Sequence, residues 1–453
     1  MTQSAPVTIA PQGRLLRVLG LAFGLAVLIG NSIGMGILRT PGEVAAHVPS
    51  VSLFLLVWVI GAGYALLGAL CVSELAAMRP RSGGLYPLVH DALGPFAGFL
   101  SGWTDWIGTC CSMAAVAIVL GEYAGPLLPV LQGNSVAVAS SVVVAFALLQ
   151  WRGIRVGNVA QLVTSLVKGV ALLALAIVAL VTALPEGLVA PHGAVVPVMP
   201  QGLALAAALV VALQSAIYTY DGWTGPIYFG EEIRDPGREL PRSMIGGVVL
   251  VLAIYLALNL AFLRVLGIEA MAGDPFVAAS AAARLFGAGG DTALRILMIV
   301  SLIAAVNALQ LMASRIPHAM SGDGLLPAIF GRVNRGGTPV PSLLAGTVLT
   351  LVFVISGTFD AVLALLAFFF VANYMLAFIA LFVQRRRRPE VSRPFRVPGY
   401  PFVPLLALGS SVFFLAMAVW GDRSHSLMAG GLLALAWPVY YVQSRLRQRS
   451  VRH

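Results

Sequence analysis

Runs of about twenty apolar residues recur along almost the whole chain, and few folds are open to a sequence built that way. A helix rising 1.5 Å per residue needs about 20 residues to cross a hydrocarbon layer about 30 Å thick. Twelve runs suit such a crossing: 17–38, 51–78, 95–120, 135–150, 157–183, 203–230, 243–266, 292–320, 341–358, 361–384, 401–420 and 427–444. No water reaches that layer, so each crossing must bond its own N–H and C=O groups, which a helix does within itself. An all-α membrane protein of twelve transmembrane helices is therefore expected. With 59% hydrophobic and 10% charged residues, 453 residues cannot clothe a soluble surface.

Two of these runs are interrupted near their middles. Gly30-Asn31-Ser32-Ile33-Gly34-Met35-Gly36 interrupts the first, and Tyr220-Asp221-Gly222-Trp223-Thr224-Gly225-Pro226 interrupts the sixth. A membrane helix opens only where it lines a cavity whose contents bond the freed backbone groups. Glycine also serves close packing, so either break alone is weak evidence. Breaks five spans apart, at matching places in two halves, instead point to an inverted-repeat transporter.

The net charge of +10 does not read as a nucleic-acid partner, because of where it falls. With both termini cytoplasmic, and with Arg17, Arg264, Arg295 and Arg315 near run ends counted with the adjoining segments, 22 of the 28 Lys+Arg lie in cytoplasmic segments, five in external ones and one deep within a span. Arg385-Arg386-Arg387-Arg388, with Arg393 and Arg396, follow the tenth run, where they hold topology or touch anionic headgroups. Arg14 and Arg17 precede a first helix read as uncleaved. The chain divides into a tail (1–16), a core (17–384, halves 17–183 and 203–384), a basic loop (385–400), two peripheral spans (401–444) and a basic tail (445–453). Cys71, Cys110 and Cys111 lie within runs without metal-ligand spacing and read as core thiols.

Lys168, the sole lysine, lies ten residues beyond Asn158, so about 15 Å deep and near the midplane. An unpaired cation there costs roughly 2.5–3.5 kcal/mol on insertion scales, which makes it a functional candidate. Asp105, ten residues past Pro95, is also deep. It recognises a cationic group, carries a proton, or is a structural acid bonded to a hydroxyl.

Five motifs in order make the chain resemble the amino acid, polyamine and organocation (APC) superfamily, and within it bacterial L-type amino acid transporters. They are IGNSIGMGILRTPGEVA, RPRSGGLYPLV, RGIRVGNVAQLVTSLVKG, YTYDGWTGPIYFGEEIRDPGRELPRS and VNALQLMASRIPHAMSGDGLLPAIFGRVNRGGTPVPS. The resemblance implies a LeuT-like fold, with spans 1–5 and 6–10 as inverted repeats and an amino acid held between the broken helices. The freed N–H groups of Gly34, Met35 and Gly36 sit at a positive helix end suited to an α-carboxylate. Carbonyls of Ile33 and of Tyr218, Thr219 and Tyr220 are implied for the α-ammonium. Met35 departs from the small residue usual there. Tyr218 matches the position of an aromatic gate, more usually phenylalanine. Asp221, beside Gly222, orients backbone donors, takes a proton, binds a basic side chain or caps a half-helix. By the same resemblance Lys168 stands where sodium-coupled members hold a cation, with carbonyls near Gly30 and the polar atoms of Asn307 as its expected contacts. His90 and His318 read as interfacial, Glu231 to Asp235 as a charge network or inner gate, and Arg315 with Asp323 as fixing the end of span 8.

The function read from these features is sodium-independent transport of L-amino acids, neutral ones first, by alternating access as an exchanger or facilitator in the cell membrane. A proton-coupled carrier of cationic amino acids or polyamines is the alternative, resting on Asp105 and Asp221. No phosphate loop, nucleophile elbow or His/Glu metal motif marks an enzyme, and no cofactor or metal is expected. Nor does any external cysteine support a disulfide-linked subunit.

Overall fold

The computed structural model describes residues 20–125, 132–152, 157–181, 199–231, 233–334, 338–356, 359–421 and 423–450. The first run forms two helices, α1 (Leu21–Ser32) and α2 (Met35–His47). α2 continues nine residues beyond the expected end at Leu38, and Arg39 and Glu43, one turn apart, pair with each other on one of its faces. Next come α3 (Val51–Met78), the short α4 (Tyr86–Leu93) and α5 (Pro95–Ala124). Gly94, at φ +93°, makes the turn between α4 and α5 that other residues resist. Pro95 then opens α5, where its missing N–H costs nothing.

The following elements are α6 (Ser135–Arg152), α7 (Gly157–Val181), α8 (Leu203–Tyr220) and, after a 3₁₀ turn at Gly225–Phe229, α9 (Pro236–Leu266). Between the seventh and eighth runs the chain folds into α10 (Ile268–Met271) and α11 (Val277–Phe286). This segment packs so closely on α2 that a Cβ on Gly42 would lie 2.1 Å from the Asp274 carbonyl oxygen. The chain ends with α12 (Ala288–Gly322), α13 (Val340–Ser356), α14 (Phe359–Arg387), α15 (Phe402–Gly421), α16 (Arg423–Ala434) and α17 (Ala436–Ser450).

Seven helices among the described residues are long and apolar enough to cross a membrane, eight if the bent pair α1 and α2 counts as one. The fourth, fifth and ninth runs supply shorter apolar helices, Ser135–Trp151, Leu166–Val181 and Val340–Ser356. The last run is divided at Leu435 between α16 and α17. This is a helical, multi-pass membrane protein. α5 is its axis: 94% of its most apolar stretch is buried, against 28% for α15, which lies at the periphery.

At the end of the bundle carrying the arginine run, fully buried Glu74 of α3 gathers three hydrogen bonds and a second arginine. Arg385 Nε and Nη2 reach its two oxygens at 2.8 and 2.5 Å, Arg393 Nε pairs at 3.3 Å, and the Val397 N–H donates at 2.7 Å. The Arg385 guanidinium also lies 3.9 Å from the Tyr400 ring centroid. One residue of the run thus fastens α14 and the loop after it to α3. Removing one partner of a buried pair costs about 3–5 kcal/mol. Glu74→Gln is therefore expected to lower the thermal unfolding midpoint in detergent, and an unchanged midpoint would show that the clamp carries no stability.

Candidate functional site

Both interruptions are real breaks, and they touch. α1 ends at Ser32, Ile33 is unwound (φ −76°, ψ 87°), and α2 restarts after Gly34 at 44° to α1 with no side chain capping its first N–H groups. α8 ends at Tyr220, where Asp221 turns extended (φ −62°, ψ 130°) and Gly222 takes φ +137°. A Cβ on Gly222 would lie 2.6 Å from Ser32 Oγ and 2.7 Å from Ser32 N, and one on Gly36 would meet Thr219 at 2.8 Å. Gly222 packs directly on the Ser32 backbone and Gly36 on the side chain and Cα of Thr219, so neither place leaves room for a Cβ.

Between the breaks lies a cavity with about 60 Å³ open to a water-sized sphere, room for roughly four waters on that measure. One wall is backbone, from Ser32, Gly34 and Gly36 across to Thr219 and Gly222. Asp105, Thr109 and Val116 on α5 line a second side and Tyr218 and Tyr228 a third, with Met312, Phe370 and Tyr374 among the remaining lining residues. Asp105 and Asp221 are the charged residues among the described residues of this lining.

The expected residues fall into three groups. Gly34 and Gly36 line the cavity at the uncapped N-terminus of α2, a place suited to an anionic group. Met35 opens α2 there, though its side chain lies outside the described residues. Tyr218, Thr219, Asp221 and Gly222 also line it. Ile33 and Tyr220 do not: Ile33 is buried in the core, and the Tyr220 ring turns to Trp58 and Tyr255, centroids 6.2 and 5.0 Å away. Two of the expected carbonyls are already engaged. Tyr218 O accepts the Asp221 N–H at 3.0 Å, and Thr219 O faces the Tyr255 hydroxyl at 2.9 Å.

Lys168 meets its expected contact, its ammonium donating to Gly30 O at 2.5 Å just before the first break. Asn307 is placed differently. Its side chain and its carbonyl accept from Gln150 of α6, at 2.9 and 3.0 Å, because that face of α12 looks to α6. Asp105 takes the Tyr228 hydroxyl on Oδ1 at 2.6 Å, while its Oδ2, buried in the cavity wall, has no hydrogen-bond partner. Asp221 Oδ1 accepts from the Tyr374 hydroxyl, which ties the second break to α14. Asp323 does fix the end of α12, but with Arg81 (3.1 Å, two bonds) and Tyr86 (2.7 Å), whereas Arg315 donates to Leu311 O in its own helix. Cys71, Cys110 and Cys111 are buried thiols, and Glu232 lies outside the described residues.

Tyr255 is the site residue that sequence reasoning missed. From α9 its hydroxyl reaches Ser32 O at 2.5 Å and Thr219 O at 2.9 Å, bridging the two breaks. Nothing distinguishes one tyrosine in an apolar run. The only signal was the requirement that freed carbonyls find donors. Ser32 Oγ, buried beside the cavity without a partner, was likewise unmarked.

A bundle crossing a membrane, with a polar cavity where two of its helices break, defines a membrane transporter. The chain belongs to the amino acid permease family, whose model matches residues 15–442, and so to the APC superfamily; it is a transporter rather than an enzyme. It is 30% identical to the serine/threonine exchanger SteT of Bacillus subtilis (strain 168), over 94% of this chain and 97% of that protein. It is 26% identical to the b(0,+)-type amino acid transporter 1 of Homo sapiens, over 94% and 88%. With the large neutral amino acids transporter small subunit 2 of Homo sapiens it shares 25% identity, over 94% and 80%.

Removing a hydroxyl that bridges two buried carbonyls strands at least one, at about 1–3 kcal/mol. Tyr255→Phe is expected to fold and insert yet to lower substrate affinity about tenfold, read by competition binding; wild-type affinity would show that the bridge does not shape the site.

Proposed function

We propose that the chain carries L-amino acids across the cell membrane without sodium, by alternating access between inverted repeats, as an exchanger or facilitator. Both termini are cytoplasmic in this reading, so the arginine-rich end faces inward and the C-terminal end of α2 faces outward. The observation that carries sodium independence is the Lys168 ammonium on Gly30 O. A tethered cation supports the carbonyl end of the broken α1, work that a bound ion does elsewhere. Exchange is supported by the likeness to a serine/threonine exchanger.

In the pose we propose, the α-carboxylate meets the uncapped N–H groups of α2, and the α-ammonium meets carbonyls at the breaks. Tyr218 closes over the substrate from outside. The backbone thus binds what all amino acids share, and the small cavity favours small neutral side chains. A second reading, a cationic side chain, is favoured by Asp105 Oδ2 and the absence of basic residues from the described lining.

Competition by a panel of amino acids for the purified protein separates the readings. Serine or alanine is expected to outcompete lysine and ornithine, and the reverse order would establish the cationic reading. Decarboxylated amines and N-acetylated amino acids should bind at least tenfold more weakly, since each leaves a polar group unpaired at about 1–3 kcal/mol. An amine competing as well as its parent would remove the carboxylate from α2.

In liposomes, choline in place of sodium should leave transport unchanged, whereas Lys168→Ala, folded and inserted, should nearly abolish it. A strict sodium requirement, or full activity in Lys168→Ala, would overturn the proposal.

A further inference from the structure

One turn outward of the cavity, three helices meet in a charged cluster that substrate binding does not use. Arg39 of α2 places Nε 3.2 Å from Glu43 Oε1, and its Nη1 pairs with Glu122 near the end of α5. Glu43 Oε2 accepts from Ser215 Oγ of α8 at 3.4 Å. Thr40 and Thr219, whose hydroxyls lie 2.8 Å apart, continue the contact down to Gly36.

The membership of this cluster gives it meaning. α2 and α8 are the outer halves of the two broken spans, the parts free to tilt at Ile33–Gly34 and at Asp221–Thr224. α5 is the buried axis against which they would tilt. Side-chain exposures of 15% for Arg39, 21% for Glu43 and 29% for Glu122 leave the pairs partly sheltered from salt. The Glu43–Ser215 bond joins α2 to α8, so the Arg39–Glu122 contact ties the pair of them to α5.

We propose that Arg39 and Glu122 form the outer lock of the transport cycle, positioning residues that hold α2 and α8 on α5 while the cavity is shut from outside. The proposal rests on the alternating-access reading above. Loss of either side chain favours the outward-open state and loosens the coupling of exchange.

The test labels a cysteine introduced at cavity residue Val116 with a membrane-impermeant thiol reagent added outside, with no amino acid present. The native thiols are buried and serve as the background. Arg39→Gln and Glu122→Gln are each expected to speed labelling about tenfold, a usual size for a conformational coupling. The double variant should be no faster than Arg39→Gln alone, because Arg39→Gln already removes the Arg39–Glu122 contact that Glu122→Gln removes. In liposomes, net efflux into amino-acid-free medium should rise relative to exchange in the same variants. Wild-type labelling rates in the singles, or additive effects in the double, would overturn the lock. Glu122→Gln, which keeps the side-chain shape, decides alone if Arg39→Gln does not assemble. Labelling needs no substrate, so faster labelling in proteins that transport no amino acid would count against the proposed function and not against the lock.

Discussion

Two openings in the backbone, in a medium that offers no water to bond them, govern this structure. Every carbonyl and N–H freed between Gly30 and Gly36, or between Tyr218 and Gly222, has to be met by something. Part of the demand is met within the chain: Lys168 on Gly30 O, Tyr255 on Ser32 O and Thr219 O, and the Asp221 N–H on Tyr218 O. One hydroxyl has one proton, so Tyr255 cannot fully serve two carbonyls at once. The N–H groups opening α2 receive no side-chain cap. The chain leaves the N–H groups opening α2 without a side-chain cap and serves the Ser32–Thr219 carbonyl pair with a single proton, and in the proposed pose the two ends of a zwitterion meet these two places.

The charges that lie off this site join parts of the chain that are remote in sequence. Glu74 holds Arg385 and Arg393, Asp323 holds Arg81 and Tyr86, and Arg39 holds Glu122. Each carboxylate is partly or wholly sheltered, where an unmatched charge is expensive, so these contacts are specific rather than incidental. The arginine run shows one sequence feature serving two ends. Its side-chain charge suits one face of the membrane, and Arg385 also stitches the helix before it to the loop after it.

Most of the architecture was legible because hydropathy and backbone satisfaction are local properties. The breaks at Ile33–Gly34 and Asp221–Thr224 fell where Gly-rich interruptions placed them, and Lys168 found a carbonyl at Gly30, as its depth required. What could not be read was orientation around a helix axis. Asn307 and Tyr220 lie at plausible depths yet face α6 and the Trp58–Tyr255 cluster instead. Tyr255 escaped for the converse reason, since a lone tyrosine in an apolar run looks like packing until the carbonyls it meets are known. Asp323 fixes the end of α12 as expected, but its contact with Arg81, 242 positions away, could not be read from the motif around it.

The two walls of the cavity differ in how freely they can change, and that difference bears on selectivity. On the backbone side, Gly36 and Gly222 already bring main chain to within about one atom of Thr219 and Ser32, so even a methyl group would force the breaks apart. That wall is fixed in shape, and in the proposed pose it meets only what all amino acids carry. The opposite wall is side chain: Asp105 and Val116 from α5, Tyr218 from α8, Phe370 from α14. Substitutions there alter volume and polarity without moving a break. In the proposed pose selectivity among amino acids therefore rests on α5, α8 and α14, above all at Asp105, whose second oxygen is buried without a partner and would stay unpaired against an apolar side chain.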